Sequence, residues 1–192
     1  MSRSLRLFVA VYPPLASAEA LLELAAGVCA PVHRAVAPRD VHLTLLFIGD
    51  TPQRETRSLI ESVERAAAGI SPFRLTPREL ATLPCDRPPR LLAAMTDSPS
   101  PLLELQRRLA RRLARSGARR ESFNPHLTLV RFARHAPSPG PCTIPIDPAG
   151  PSGAPFLIER LAVMSSRPPG AGSPPGSGYV HEPLAWIDLR SG

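Results

Sequence analysis

Apolar and polar residues alternate almost from the start of the chain. Leu5, Leu7, Val9 and Val11 are separated by Arg6, Phe8 and Ala10, the period-two pattern of a strand, and Pro13-Pro14 ends it. From Ser17 to Gly27 the period lengthens. Leu21, Leu22, Leu24 and Ala25 gather on one side of an Ala-, Leu- and Glu-rich stretch, which predicts a short amphipathic helix. A second strand is predicted over 41–48. Thr51 then reads as an N-cap with Pro52 at the first helical position, and the helix carries Leu59, Ile60 and Val63 to a glycine stop at Gly69. Short strands are predicted over 73–75, 79–83 and 91–95. Ser100-Pro101 opens the clearest helix, with Leu102, Leu105, Leu109 and Leu113 on its apolar face and Gly117 as its stop. Strands are predicted again over 125–132, 143–146, 156–165 and 179–189. Before the last of them lies a Pro/Gly-rich stretch, 165–178, read as a flexible loop without the means to form a core.

The order of these elements suggests two similar halves. Because the strands come in groups and do not alternate strictly with helices, the pattern predicts an α+β fold with mostly antiparallel sheets. The expected architecture is two pseudo-symmetric lobes, each a sheet with outer helices, facing across a central cleft within one bilobal domain over 1–192.

Composition narrows this picture. The chain has 192 residues, 43% of them hydrophobic, enough for one domain or two small lobes. No apolar stretch approaches the roughly 20 residues of a membrane span, and the first twelve residues lack the features of an export signal. A soluble, cytoplasmic, monomeric protein is the expectation. Cys29, Cys85 and Cys142 are odd in number and form no Cys-x-x-Cys pair, so neither a disulfide framework nor a zinc site is indicated. The net charge is +7, and all 23 basic side chains are arginine. Such a charge suits an anionic partner, although a GC-rich genome would encode the same bias. Arg107, Arg108, Arg111, Arg112 and Arg115 cover the polar side of the third helix, as a solvated face or as an attraction for RNA.

One tetrapeptide occurs twice: His42-Leu43-Thr44-Leu45 and His126-Leu127-Thr128-Leu129, 84 residues apart. On a strand, residues two apart share a face. His42 and Thr44 therefore point one way while Leu43 and Leu45 point into a core, and the second copy repeats the arrangement. Imidazole both gives and takes protons near neutral pH. Two of them on opposite sides of a phosphodiester supply the base and the acid that hydrolysis requires, and two hydroxyls supply dipoles for the phosphoryl oxygens. Two histidines without acidic or thiol neighbours at ligand spacing make an incomplete zinc set.

The chain resembles the 2H phosphoesterases, and among them the bacterial and archaeal RNA 2′,3′-cyclic phosphodiesterases, also called 2′-5′ RNA ligases. The resemblance rests on residues 6–10, 41–49 and 123–131, in order, and on Ser166, Tyr179, Leu184 and Trp186 near the end. It implies hydrolysis of an RNA 2′,3′-cyclic phosphate end to a 2′-phosphate, without cofactor or metal, and weak reversible 2′-5′ ligation. By the family pattern His42 is the proton donor and His126 the proton acceptor. The residues themselves are symmetric and leave the swap open. Thr44, Thr128 and Arg131 would bind the phosphate. Strict alternation puts Arg131 opposite His126 unless a bulge or a strand end intervenes. Ser165 stands where the family often has arginine, with Arg167 as the nearest substitute. Phe8, Arg6, Arg167 and Tyr179 are candidates for the cleft lining, whereas His33, His135 and His181 read as surface or structural residues. Two alternatives stay open: a small cyclic phosphate or 2′-5′ oligoadenylate as substrate, and a non-catalytic RNA-binding module.

Overall fold

The computed structural model describes residues 4–28, 33–86, 88–113, 123–133, 140–170 and 179–190. Its strands are β1 (Ser4–Val11), β2 (Arg34–Ala35), β3 (Leu43–Pro52), β4 (Phe73–Leu75), β5 (Pro77–Leu83), β6 (Leu91–Thr96), β7 (His126–Arg131), β8 (Thr143–Pro145), β9 (Phe156–Ile158), β10 (Arg160–Arg167) and β11 (Val180–Asp188). The helices are α1 (Leu15–Ala26), α2 (Thr56–Ala67) and α3 (Ser100–Leu113), with 3₁₀ turns at Pro38–Asp40 and Gln53–Glu55. Among the described residues, no helix is long and apolar enough to cross a membrane.

The fold is α+β and its strand pairs are antiparallel. The main sheet runs β11-β10-β1-β3-β7-β6-β5-β8, with β2 also on β7, while β4 and β9 pair apart from it. Within the main sheet two four-stranded leaves can be distinguished, β11-β10-β1-β3 and β7-β6-β5-β8. They are not two separate sheets, as the repeat suggested. A single register pair, Leu43 opposite Leu127, joins them.

Each leaf buries one face against the helices. Leu7, Val9, Val11, Leu43, Leu45, Leu127, Leu129, Leu161 and Val163 share one cluster with Leu21 of α1, Val63 of α2 and Leu102, Leu105 and Leu109 of α3. Each fully buried leucine of this kind contributes roughly 1.5–3 kcal/mol. The other face of the first leaf carries a smaller cluster of Phe8, Ala10, Ala162 and Met164, with Tyr12 packed against it. β1 is thus buried on both sides, and Phe8 and Tyr12 of that second cluster pack against His42.

Several boundaries differ from the sequence expectation. Thr51 and Pro52 belong to β3, and α2 begins at Thr56 with Glu55 as its cap residue. The strand continues because Thr51 pairs with Leu5 and Pro52 with Ser4 of β1. The predicted 156–165 strand divides into β9, which pairs with β4, and β10, which pairs with β1. Residues 165–167 are strand, not loop. Gly69 ends α2 at φ +70°, a backbone that favours glycine. Gly117, His135 and residues 171–178 lie outside the described residues. On α3, Glu104 accepts hydrogen bonds from both Arg107 and Arg108, and Arg108 also donates to the Ala68 carbonyl, so part of the arginine face is engaged within the molecule.

Candidate active site

The two copies of the motif meet at the join between the leaves. Leu43 stands opposite Leu127, so the residues that flank this pair, His42 and Thr44 in one copy and His126 and Thr128 in the other, meet at the join. The leucines are fully buried on the helical side. The four polar residues, each half-buried, share the other face.

Both imidazoles are anchored in the same way. His42 Nδ1 lies 2.7 Å from the carbonyl oxygen of Asp40, in the turn that precedes β3, and His126 Nδ1 lies 2.8 Å from that of Asn124. A carbonyl oxygen only accepts, so in each ring Nδ1 carries the hydrogen and donates it. Nε2, with its lone pair, is left for the chemistry.

Both strands then bulge at the same place. Between Ala10–Thr44 and Val9–Leu46 the register skips Leu45, and between Ala93–Thr128 and Leu92–Val130 it skips Leu129. The skipped leucine and its successor both face the core, so the next residue returns to the histidine face. On β3 that residue is Phe47, paired with Phe8, and on β7 it is Arg131, paired with Leu91. A bulge is what the sequence required for Arg131 to stand on the side of His126. The repeat thus places an aromatic ring and a guanidinium at equivalent positions, and Phe47 is 71% exposed.

The two histidines are chemically unequal. Phe8 and Tyr12 flank His42 with ring centroids at 5.2 and 5.5 Å, and His181 stands edge-on to it at 5.5 Å. This enclosure removes water and pushes the His42 pKa down to about 4; the charges of His181, Arg131 and His126 push the same way, and only the hydrogen bond to Asp40 opposes them. Burial also raises the Tyr12 hydroxyl far above neutrality, with the Asp40 charge adding, so it stays protonated.

Positive charge collects beside the motif. Arg34 of β2 stands in register with Arg131. Desolvation, then the Arg34 charge, lowers the Arg131 pKa, although one side of the residue stays exposed. Like charges directly opposite one another are unfavourable until an anion sits between them.

The remaining candidates fall in different places. Arg6 shares a face with Phe8 and holds its guanidinium over the Tyr179 ring at 5.7 Å, at the rim of the same leaf. Arg167 alternates with Ser166, which pairs with Arg6, so it belongs to the opposite face, where it forms an ion pair with Glu182. Ser165 donates to the Glu182 carbonyl. His33 is buried, packs on Phe132 at 4.8 Å and accepts from the Ala133 amide, a structural role. His181 is the residue that sequence reasoning missed: it is no surface histidine but a neighbour of His42. No motif marks it, and its partner is 139 positions away in the chain. Among the described residues, no three His, Cys, Asp or Glu side chains form a metal-holding group.

Known proteins resemble this chain over much of its length. An RNA 2′,3′-cyclic phosphodiesterase of Thermus thermophilus is 31% identical over 144 residues, 70% of this chain and 71% of that protein. One of Aquifex aeolicus is 29% identical over 101 residues, 50% of this chain but only 54% of the relative's length. Among solved structures, one from Thermus thermophilus superposes with a TM-score of 0.79 at 28% identity, covering 97% of this chain and 98% of the other. E. coli LigT complexed with 3′-AMP gives 0.76 at 25% identity, covering 97% and 99%. A family model matches residues 13–167. That span contains both anchored histidines and both bulged strands, and the chain belongs to the 2′-5′ RNA ligase superfamily.

Proposed function

We propose that this protein is a metal-independent RNA 2′,3′-cyclic phosphodiesterase that opens a terminal cyclic phosphate to a 2′-phosphate. The observation that carries the reading is the matched pair of rings, His42 on the Asp40 carbonyl and His126 on the Asn124 carbonyl, each with Nε2 available. The Thermus and Aquifex relatives named for this activity support the choice of substrate. So does Arg131, whose guanidinium sits on the histidine face beside a second cation. Each leaf supplies one histidine and one threonine, which supports one catalytic unit built from both halves.

In the proposed reaction, His126 Nε2 takes a proton from water as the water oxygen bonds to phosphorus. The bond from phosphorus to O3′ breaks, and His42 Nε2 gives its proton to O3′. The Thr44 and Thr128 hydroxyls and the Arg131 guanidinium meet the non-bridging oxygens as their charge grows. With an RNA 5′-hydroxyl in place of water, the same pair supports weak, reversible 2′-5′ ligation. Phe47 offers an exposed face on which a base can stack.

His42 has to be charged before it can donate, and in the free protein its pKa lies at about 4. A phosphodiester anion about 4 Å away contributes about 4 kcal/mol at an effective dielectric of 20, or about 3 pK units. That lifts His42 to the neutral range, so the substrate itself charges the acid. The low value in the free protein favours a second assignment, with neutral His42 as base and His126 as acid; titrating His42 with a bound anion separates the two. The experiment for the activity is turnover of a 2′,3′-cyclic nucleotide in excess EDTA. His42→Ala and His126→Ala should each lower it by at least about 10²-fold. RNA binding without turnover in the parent protein would instead mark a non-catalytic module.

A further inference from the structure

The last strand brings to the site a side chain that the repeat does not contain. His181 stands in register with Ser166 of β10, and Ser166 with Arg6 of β1, which puts all three on the face that carries Phe8. Its ring meets Phe8 at 5.1 Å and 79°, and His42 at 5.5 Å and 83°. Edge-on packing on two rings fixes where the imidazole sits.

Its hydrogen bonding is the reverse of the motif histidines. His181 Nδ1 is buried and has no partner. A buried N–H without an acceptor is rarer and costlier than an unused lone pair. The neutral ring therefore keeps its hydrogen on Nε2. Burial first, then the Arg131 charge, disfavours the charged ring, while the Asp40 charge works the other way. Where His42 and His126 offer lone pairs, His181 offers an N–H.

We propose that His181 is a third working imidazole of this site, a catalytic residue whose Nε2–H donates a hydrogen bond to a non-bridging oxygen of the substrate phosphate. The proposal rests on the cyclic-phosphodiester reading above. A donor fixed before the substrate arrives stabilises charge growing on that oxygen.

Two substitutions separate this role from packing. His181→Phe keeps a ring against Phe8 and His42 but removes the N–H, whereas His181→Gln carries an amide N–H to about the place of Nε2. On a 2′,3′-cyclic nucleotide, kcat should fall about 10²-fold in His181→Phe and return to within about 5-fold of the parent in His181→Gln, with KM nearly constant in both. The pH–rate profile of His181→Gln should keep the parent's shape. Parent-like kcat in His181→Phe overturns the proposal, as does His181→Gln being as slow as His181→Phe when both melt like the parent. Should the parent turn over no cyclic phosphate, the underlying reading falls by itself. The donor role is then judged by calorimetric sulfate binding, where equal affinity of the parent and His181→Phe overturns it.

Discussion

Binding of an inert anion should protonate His42, and sulfate tests this well because it does not titrate in the working range. In the free protein the imidazole sits between Phe8, Tyr12 and His181, and its pKa is held at about 4. Each negative charge about 4 Å from the ring, at an effective dielectric of 20, returns about 3 pK units, and sulfate carries two. Histidine Cε1 resonances followed by NMR should then show one ring moving from about 4 to at least about 7 as sulfate saturates the site. His42→Gln identifies that ring by its loss. The same shift has a thermodynamic image. The folded protein binds the His42 proton more weakly than the unfolded chain, so stability is full above pH 6.5 and falls as the pH drops toward 4. The loss attributable to this group is about 3 kcal/mol, and denaturant melts of the parent and His42→Gln should differ in pH dependence by that amount. A free-state titration near the unperturbed 6.5, or a sulfate-bound value that stays at about 4, would refute the substrate-charged acid.

Three further outcomes follow from the geometry. Arg131→Gln should lose one charged hydrogen bond to phosphate, about 2 kcal/mol, read as about a 30-fold fall in kcat/KM, while Arg34→Gln costs only a few-fold. Thr44→Val and Thr128→Val each remove a hydroxyl dipole and should lower kcat by about 10²-fold without changing the melting temperature. Gly69→Ala meets open space but must hold φ +70°, so denaturant melts should show roughly 1–2 kcal/mol of destabilisation, with activity unchanged.

What was legible in the sequence is what repeats at short range. Leu5 to Val11 and the leucines of α3 announce their elements because side-chain period follows backbone geometry directly. The duplicated His-x-Thr points to the candidate site because four polar residues on matching strands have few other uses. The bulges at Leu45 and Leu129 were hidden, since an apolar run reads alike whether or not one residue is skipped. Only Arg131, which would otherwise face away, hinted that one was needed. The continuity of the two leaves was hidden for a similar reason: a single residue pair carries it. His181 left no trace because its meaning comes from β10 and β1 delivering β11 beside His42, and that adjacency is a property of the sheet order alone. Thr51-Pro52 misled because the pair is good helix-start chemistry locally, while pairing with β1 decides the outcome.

The single pair that joins the leaves also sets how the molecule can flex. Leu43 and Leu127 lie where the two halves meet, and His42, Thr44, His126 and Thr128 are their immediate neighbours. If the leaves splay, that pair is the pivot, and displacement grows with the lever arm from it. The outer strands β11 and β8, at the far edges of the sheet order, swing widest, while the four motif groups beside the pivot scarcely change their spacing. The spacing of the four motif groups is thus set at the join and not at the rim.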